Sequence, residues 1–211
     1  MSLFQPLPIY TVSSREKTLD LSQPHIMGIL NVTPDSFSDG GQFNAIDSAL
    51  AHAKEMIEAG ATIIDIGGES TRPNADAVAT TEEMKRVVPI VKAIRQQLGN
   101  AVWLSIDTSN PTVMQAAFEV GADIWNDVRA LKREGAAALA AELDIPVMLM
   151  HMRGEPTTMN NLALYDDVIA DVSAELSARI DEVTSVGVKR EKIIIDPGFG
   201  FAKNYEHHCA L

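Results

Sequence analysis

The sequence predicts an α/β fold of the (β/α)8 TIM-barrel type, of which the first six strand–helix units are legible. Three observations lead there. Short apolar runs alternate with longer amphipathic stretches, which implies right-handed βα units and a parallel sheet. The runs begin at residues 26, 62, 101, 122, 146 and 192, on average about 33 residues apart, the usual pitch of such a barrel. Each run also gives way to a polar segment at its end, as a ring of ligands around one axis would. A Rossmann-like open sheet is the alternative, but no G-x-G-x-x-G follows the first strand. Eight units at this pitch need roughly 250 residues. The 211 residues here are therefore expected to form one domain, a barrel incomplete at its C-terminal end.

Taken in order, residues 1–25 read as an extended lead-in, with a hairpin covering one end of the fold. His25–Gly41, HIMGILNVTPDSFSDGG, starts as a buried strand and turns polar at Asn31. Pro34 and the Gly40–Gly41 pair punctuate a loop of about a dozen residues, long for a βα connection, which normally runs about two to six. Ile46, Leu50, Ala53 and Ile57 make one apolar stripe on a helix that Gly60 stops. A strand over 62–66 leads into a second polar loop, GGESTRPNADA. Thr80-x-x-Glu83 predicts a capping box for a helix over 81–98.

The strand 101–106 meets Asp107, and Asn110–Pro111 opens a helix as cap and first turn. The strand 122–125 runs into Asn126–Asp127, with a helix over 134–143. The strand 146–150 ends at His151, with a helix over 165–186. The strand 192–195 ends in Asp196-Pro197-Gly198-Phe199-Gly200-Phe201, and NYEHHCAL begins another helix.

Composition narrows the function. With 46% hydrophobic and 22% charged residues the chain can bury a core. Its 17 Lys+Arg against 29 Asp+Glu give a net charge of −12, which disfavours nucleic acid and anionic membranes as partners. The lone Cys209 excludes an internal disulfide. No apolar stretch approaches membrane-spanning length and the N-terminus does not read as a signal peptide, so a cytoplasmic location is expected.

Asn31, Asp107, Asn126 and Asp196 all fall at strand carboxyl ends, where a barrel would bring them to one pocket. Two carboxylates and a carboxamide suit a flat heterocycle with an amidine-like edge; a metal site or a general acid/base pair is the other reading. Each Asp taken singly could equally be a helix cap. Arg72, on a polar loop, could clamp an anion or sit solvated. His151 reads as a base or, more simply, as a hydrogen-bonded structural residue. Met148, Met150 and Met152 alternate, so one parity faces the barrel axis, where Met150 could pack on an aromatic ligand or belong to plain core. His207–His208–Cys209 lacks metal-ligand spacing.

The segments MGILNVTPDSFSDGG, IDIGGESTRP, SIDTS, NDVRAL, MLMHMRG and DPGFGFAKN, in this order, resemble dihydropteroate synthase, a pterin-binding (β/α)8 family. The resemblance covers residues 25–208. It implies condensation of 6-hydroxymethyl-7,8-dihydropterin diphosphate with p-aminobenzoate, giving dihydropteroate and pyrophosphate, with sulfonamides competing for the aminobenzoate place. It implies that Asp107, Asn126, Asp196 and Phe201 hold the pterin, with Met150 on its face. It places Asn31 on Mg²⁺ and the diphosphate, Phe37, Thr71 and Pro73 beside the aminobenzoate, and Asp39 in a pair with Arg72. Asn31, Asp39, Thr71 and Arg72 would carry the catalytic work as the two long loops close over the site.

The resemblance also implies that seventh and eighth units of the family bring a pterin- and substrate-contacting Lys and a diphosphate-binding Arg with an adjacent His. Without them the stretch 1–211 is expected to be marginal in stability and to lack turnover by itself. The full-length family is expected to be a homodimer. Two other readings stand beside the synthase: a pterin-binding methyltransferase acting with a corrinoid protein, and a non-catalytic pterin-binding remnant.

Overall fold

The computed structural model describes residues 10–32, 41–69, 78–155 and 158–211. Two sheets are present. Thr11–Ser14 (β1) and Lys17–Asp20 (β2) form an antiparallel hairpin. Six parallel strands form the second sheet: Met27–Asn31 (β3), Ile63–Gly67 (β4), Trp103–Asp107 (β5), Ile124–Asp127 (β6), Val147–Met150 (β7) and Ile193–Asp196 (β8). They lie side by side in chain order, β3 through β8, as successive right-handed βα units require. This order excludes the Rossmann alternative, which reverses direction at a switch point.

The helices are Gly41–Glu58 (α1), Thr80–Leu98 (α2), Pro111–Glu119 (α3), Ala136–Leu143 (α4), Val168–Ser185 (α5) and Tyr205–Ala210 (α6). Pro111 stands at the first position of α3 behind Asn110, whose side chain accepts from Thr112 N, as the sequence predicts. The predicted capping box at Thr80 is wrong. Thr80 lies inside the helix, Ala79 is the cap, and no side chain caps it. The two polar side chains are drawn elsewhere: Thr80 Oγ1 accepts from Asn110 Nδ2 at 2.7 Å, and buried Glu83 accepts from Thr108 Oγ1 at 2.5 Å.

Strand parity divides the sheet into two faces. On the helix side, Leu30, Ile64, Ile66, Leu104, Ile106, Trp125, Val147 and Leu149 join Val87, Ile90, Val91, Ile94, Val113 and Met114 in the main core. On the inner face, Ile63, Trp103 and Ile124 form a floor with Met27, Met148 and Ile194. The hairpin covers that floor with Val12, Leu19 and Leu21. Its seat is ionic as well as apolar. Lys17 Nζ and Arg95 NH2 each lie 2.6 Å from Asp123 Oδ2, and Asp123 also accepts from Leu104 N at 2.9 Å. The opposite end of the inner face is thereby left as the accessible one.

Candidate active site at the strand ends

Above the apolar floor the inner face turns polar. Asn31, Gly67, Asp107 and Asn126 are consecutive partners across β3, β4, β5 and β6. One layer below, Asp65 stands opposite Ser105. Gly67 is what allows the upper row to converge. A Cβ there would lie 3.4 Å from Asp107 Oδ2 and 3.6 Å from Asn31 Oδ1, so both oxygens reach in over the same glycine. Asp196 ends β8 at the same mouth, paired in register with Met150.

Burial first, then the negative charges of Asp65, Asp127, Glu83 and Glu69, push the Asp107 carboxyl well above the usual carboxylate range. The Asp107 carboxyl has no hydrogen-bond partner and no cation against it among the described residues, and donors from a ligand would relieve it. Asp65 is likewise raised by burial, opposed by the nearby Ser105 hydroxyl and Asn126 amide. Asn126 Nδ2 donates to Asp65 Oδ2 at 3.1 Å.

Neighbouring Asp127 points to the other face. Its carboxylate accepts from Ser109 Oγ, from Arg129 N at 2.9 Å and from Leu131 N at 2.7 Å, so it shapes the loop after β6. Burial raises its carboxyl, and these bonds oppose the shift.

Met150 is buried with Val128, Met152, Met159 and Ala202, and Phe201 packs on this group. The cluster forms one wall of the mouth beside a cavity of about 410 Å³, also lined by Glu69, Arg129, Lys132 and Arg133. Asp196 holds its own turn through Gly198 N, which donates to Oδ1 at 2.7 Å. Oδ2 makes no protein hydrogen bond among the described residues.

His151 is a structural residue rather than a free base. Its Nε2 lies 3.0 Å from Glu175 Oε2, and its Nδ1 lies 3.0 Å from Lys203 Nζ. Burial and the lysine charge lower its pKa. His207 and His208 are also absorbed locally. His207 completes the cap of α6 with Asn204, and His208 Nε2 accepts from Gly200 N at 3.0 Å. Among the described residues no group of three metal-ligating side chains forms.

The structure thus brings Asn31, Asp107, Asn126, Met150, Asp196 and Phe201 to one mouth. Phe37, Asp39, Thr71, Arg72 and Pro73, and with them the expected loop closure, lie outside the described residues. Sequence reasoning missed Asp65 and Lys203. Asp65 had left a signal, a lone acid inside the apolar run Thr62-Ile63-Ile64-Asp65-Ile66. Lys203 had left none, because its partners come from other segments.

The model of the family described as pterin binding enzyme matches residues 27–211. The chain belongs to this pterin-binding enzyme family, among the dihydropteroate synthases. It is 53% identical to the dihydropteroate synthase of Escherichia coli strain K12 over 194 residues, covering 92% of this chain and 68% of that one. It is 52% identical to that of Haemophilus influenzae, covering 94% and 71%.

Among solved structures, the Yersinia pestis dihydropteroate synthase with a sulfonamide drug complex superposes with a TM-score of 0.87 at 49% identity, covering 94% of this chain and 72% of that one. The Xanthomonas albilineans enzyme in complex with 7,8-dihydropteroate gives 0.82 at 40% identity, covering 95% and 70%. Membership of the family makes the six parallel strands part of a (β/α)8 barrel. No helix among the described residues is long and apolar enough to cross a membrane.

Proposed function

We propose that this chain forms the pterin-holding face of a dihydropteroate synthase, which joins 6-hydroxymethyl-7,8-dihydropterin diphosphate to p-aminobenzoate. The observation that carries the reading is the row Asn31–Gly67–Asp107–Asn126, in which the Asp107 carboxyl and the Asn31 carboxamide converge over a glycine with the Asn126 carboxamide next in register. Asp107, Asn126 and Asp196 accept the N–H donors of the heterocycle, and Met150 and Phe201 pack on its ring. Each relative named above carries the synthase activity in its name, and the Xanthomonas structure holds the reaction's product.

The reaction breaks the bond between the pterin methylene carbon and the diphosphate oxygen, with the electron pair leaving on diphosphate. The aniline nitrogen of p-aminobenzoate forms the new C–N bond with its lone pair and then releases a proton to solvent. A neutral aniline needs no strong base, which fits a site whose only buried histidine is already engaged on both ring nitrogens. The protein's task is to hold the ring, stabilise developing charge and exclude water. Asn31 offers one hard carboxamide oxygen beside the place of the diphosphate. That donor suits Mg²⁺, which prefers phosphate oxygens, a few protein oxygens and retained water. When bound, the ion would neutralise the departing diphosphate. Arg72 serves the same anion from the second loop.

The test is calorimetric titration with the pterin diphosphate, followed by pyrophosphate release on adding p-aminobenzoate, with a sulfonamide as competitor. Pterin binding that is lost in Asp107→Ala and Asn126→Ala is expected. A native chain that binds no pterin overturns the reading.

A further inference from the structure

Beneath the substrate row lies a second polar layer to which the reaction as described gives no task. Asp65 is 5% exposed and Ser105 fully buried, facing each other across β4 and β5. A carboxyl in this position is costly unless something requires it. Among the described residues, Asp65 Oδ1 and Ser105 Oγ have no hydrogen-bond partner, and the one directed bond the Asp65 side chain accepts comes from Asn126. That bond passes over β5, from β6 to β4, so it joins alternate strands across the inner face.

We propose that Asp65 is a positioning residue: by taking the amide N–H of Asn126, it fixes the carboxamide so that Oδ1 is the atom offered to the pterin. An asparagine side chain can present either a donor or an acceptor, and only its surroundings decide which. A carboxylate engages the NH2 end and rejects the oxygen. The oxygen is then turned away from Asp65, toward the mouth, in the same row as Asp107. Two adjacent acceptors result, Asn126 Oδ1 and the Asp107 carboxylate, and they select a ring edge with two donors. An edge with an acceptor at the Asn126 position would leave two oxygens facing each other, a mismatch that binding sites punish strongly.

This inference rests on the pterin reading above, and its test separates the two. Native chain, Asp65→Leu and Asp65→Asn are titrated with 7,8-dihydropterin, with oxidised pterin and with lumazine. Oxidised pterin turns the ring N8–H donor into an acceptor, and lumazine replaces the 2-amino donor by a carbonyl. In the native chain one of these exchanges should cost about tenfold or more in affinity, the penalty expected when a buried polar group loses its match. Asp65→Leu should shrink that penalty at least about fivefold by letting Asn126 turn over, and Asp65→Asn, whose own amide can meet either end of Asn126, should shrink it as well. A native chain indifferent to both exchanges, or an Asp65→Leu variant that keeps the full penalty, overturns the proposal.

Should Asp65→Leu fail to fold, the native chain still decides. With ¹⁵N-labelled asparagine, and Asn126→Ala to assign the signal, the Asn126 side-chain amide should exchange with solvent at least about tenfold more slowly than exposed asparagines. Exchange at the exposed rate overturns the proposal. Protection without any pterin binding would instead refute the pterin reading alone.

Discussion

Lys203 Nζ lies 3.0 Å from His151 Nδ1 and is enclosed by the carbonyl oxygens of Phe201 at 3.1 Å, Gly198 at 3.2 Å and His151 at 3.5 Å. A lysine only donates, so Nδ1 must accept, and His151 carries its proton on Nε2, aimed at Glu175. The relationship clasps the loop after β8, which carries Asp196 and Phe201, to the end of β7, which carries Met150. A backbone bond from His151 N to Asp196 O at 2.9 Å continues the same seam.

Lys203→Met should therefore orphan buried acceptors, at a cost of about 1–3 kcal/mol, and loosen the Asp196 side of the site. Burial lowers the Lys203 pKa to about 8, against the pull of Asp196 and Glu175. The folded state then binds fewer protons than the unfolded one between about pH 8 and the ordinary lysine value of 10.5. Lys203 consequently makes stability rise with pH across that window. Urea unfolding of native and Lys203→Met chains at pH 7.5 and pH 9.5 checks this. The difference between them should grow in favour of the native chain at the higher pH, and a constant difference would remove Lys203 as the cause.

Asp107 should trade stability for binding. Its carboxyl is raised in the folded chain by burial and four neighbouring acids. Protonation therefore favours the fold below the ordinary carboxylate range, and that advantage is lost as pH rises through the elevated value. Asp107→Asn removes the charge. It should leave the melting temperature nearly unchanged at pH 4 and raise it by about 2–4 °C at pH 8, the shift that about 1 kcal/mol produces in a domain of this size. The same substitution should weaken pterin binding by about 1.5–3 kcal/mol, the value of a hydrogen bond to a charged group. Thermal scans at the two pH values, with calorimetry, read both effects.

Two glycines of one loop should respond very differently to alanine. At Gly198, with φ +74°, an added Cβ would come within 2.0 Å of the His151 carbonyl oxygen, a backbone atom that cannot step aside. At Gly200, with φ +85°, the same Cβ meets nothing within 4 Å. Gly200→Ala should cost about 1–2 kcal/mol, the ordinary penalty of a left-handed residue. Gly198→Ala should cost more than that and also release the β7–β8 seam. Denaturant midpoints of the two variants, measured side by side, give the comparison, and equal losses would refute the close contact.

The stretch 1–211 studied by itself should self-associate. Among the described residues β3 and β8 each have one neighbour in the sheet. Ile26, Ile29 and Ile195, on or next to these outer strands, are 61%, 64% and 54% exposed. Unpaired, apolar strand edges are templates for another chain. Light scattering over a tenfold concentration range should show mass rising with concentration; a monomer throughout would show that these edges are adequately protected.

The linear sequence was sufficient for the repeating framework. Strand–helix alternation is a local signal, carried by apolar runs such as Ile26–Leu30 and stops such as Gly60 and Gly99, and the structure follows it. Asn110–Pro111 is likewise local, since cap and first turn are neighbours in the chain. Placing Asn31, Asp107 and Asn126 together needed only the rule that parallel strands end at one mouth, and their register confirms it.

What the sequence left undecided concerns groups whose partners lie far along the chain. Thr80 and Glu83 spell a capping box, yet Asn110 and Thr108, brought alongside by the next unit, take both side chains. Asp107 and Asp127 look alike at their strand ends, but parity sends one into the site and the other into a loop. His151 could be weighed as a base only until Glu175 and Lys203 were seen to occupy its ring. Hydrogen-bond competition and desolvation depend on three-dimensional neighbours, so tertiary structure alone decided which polar residues remain free to meet a substrate.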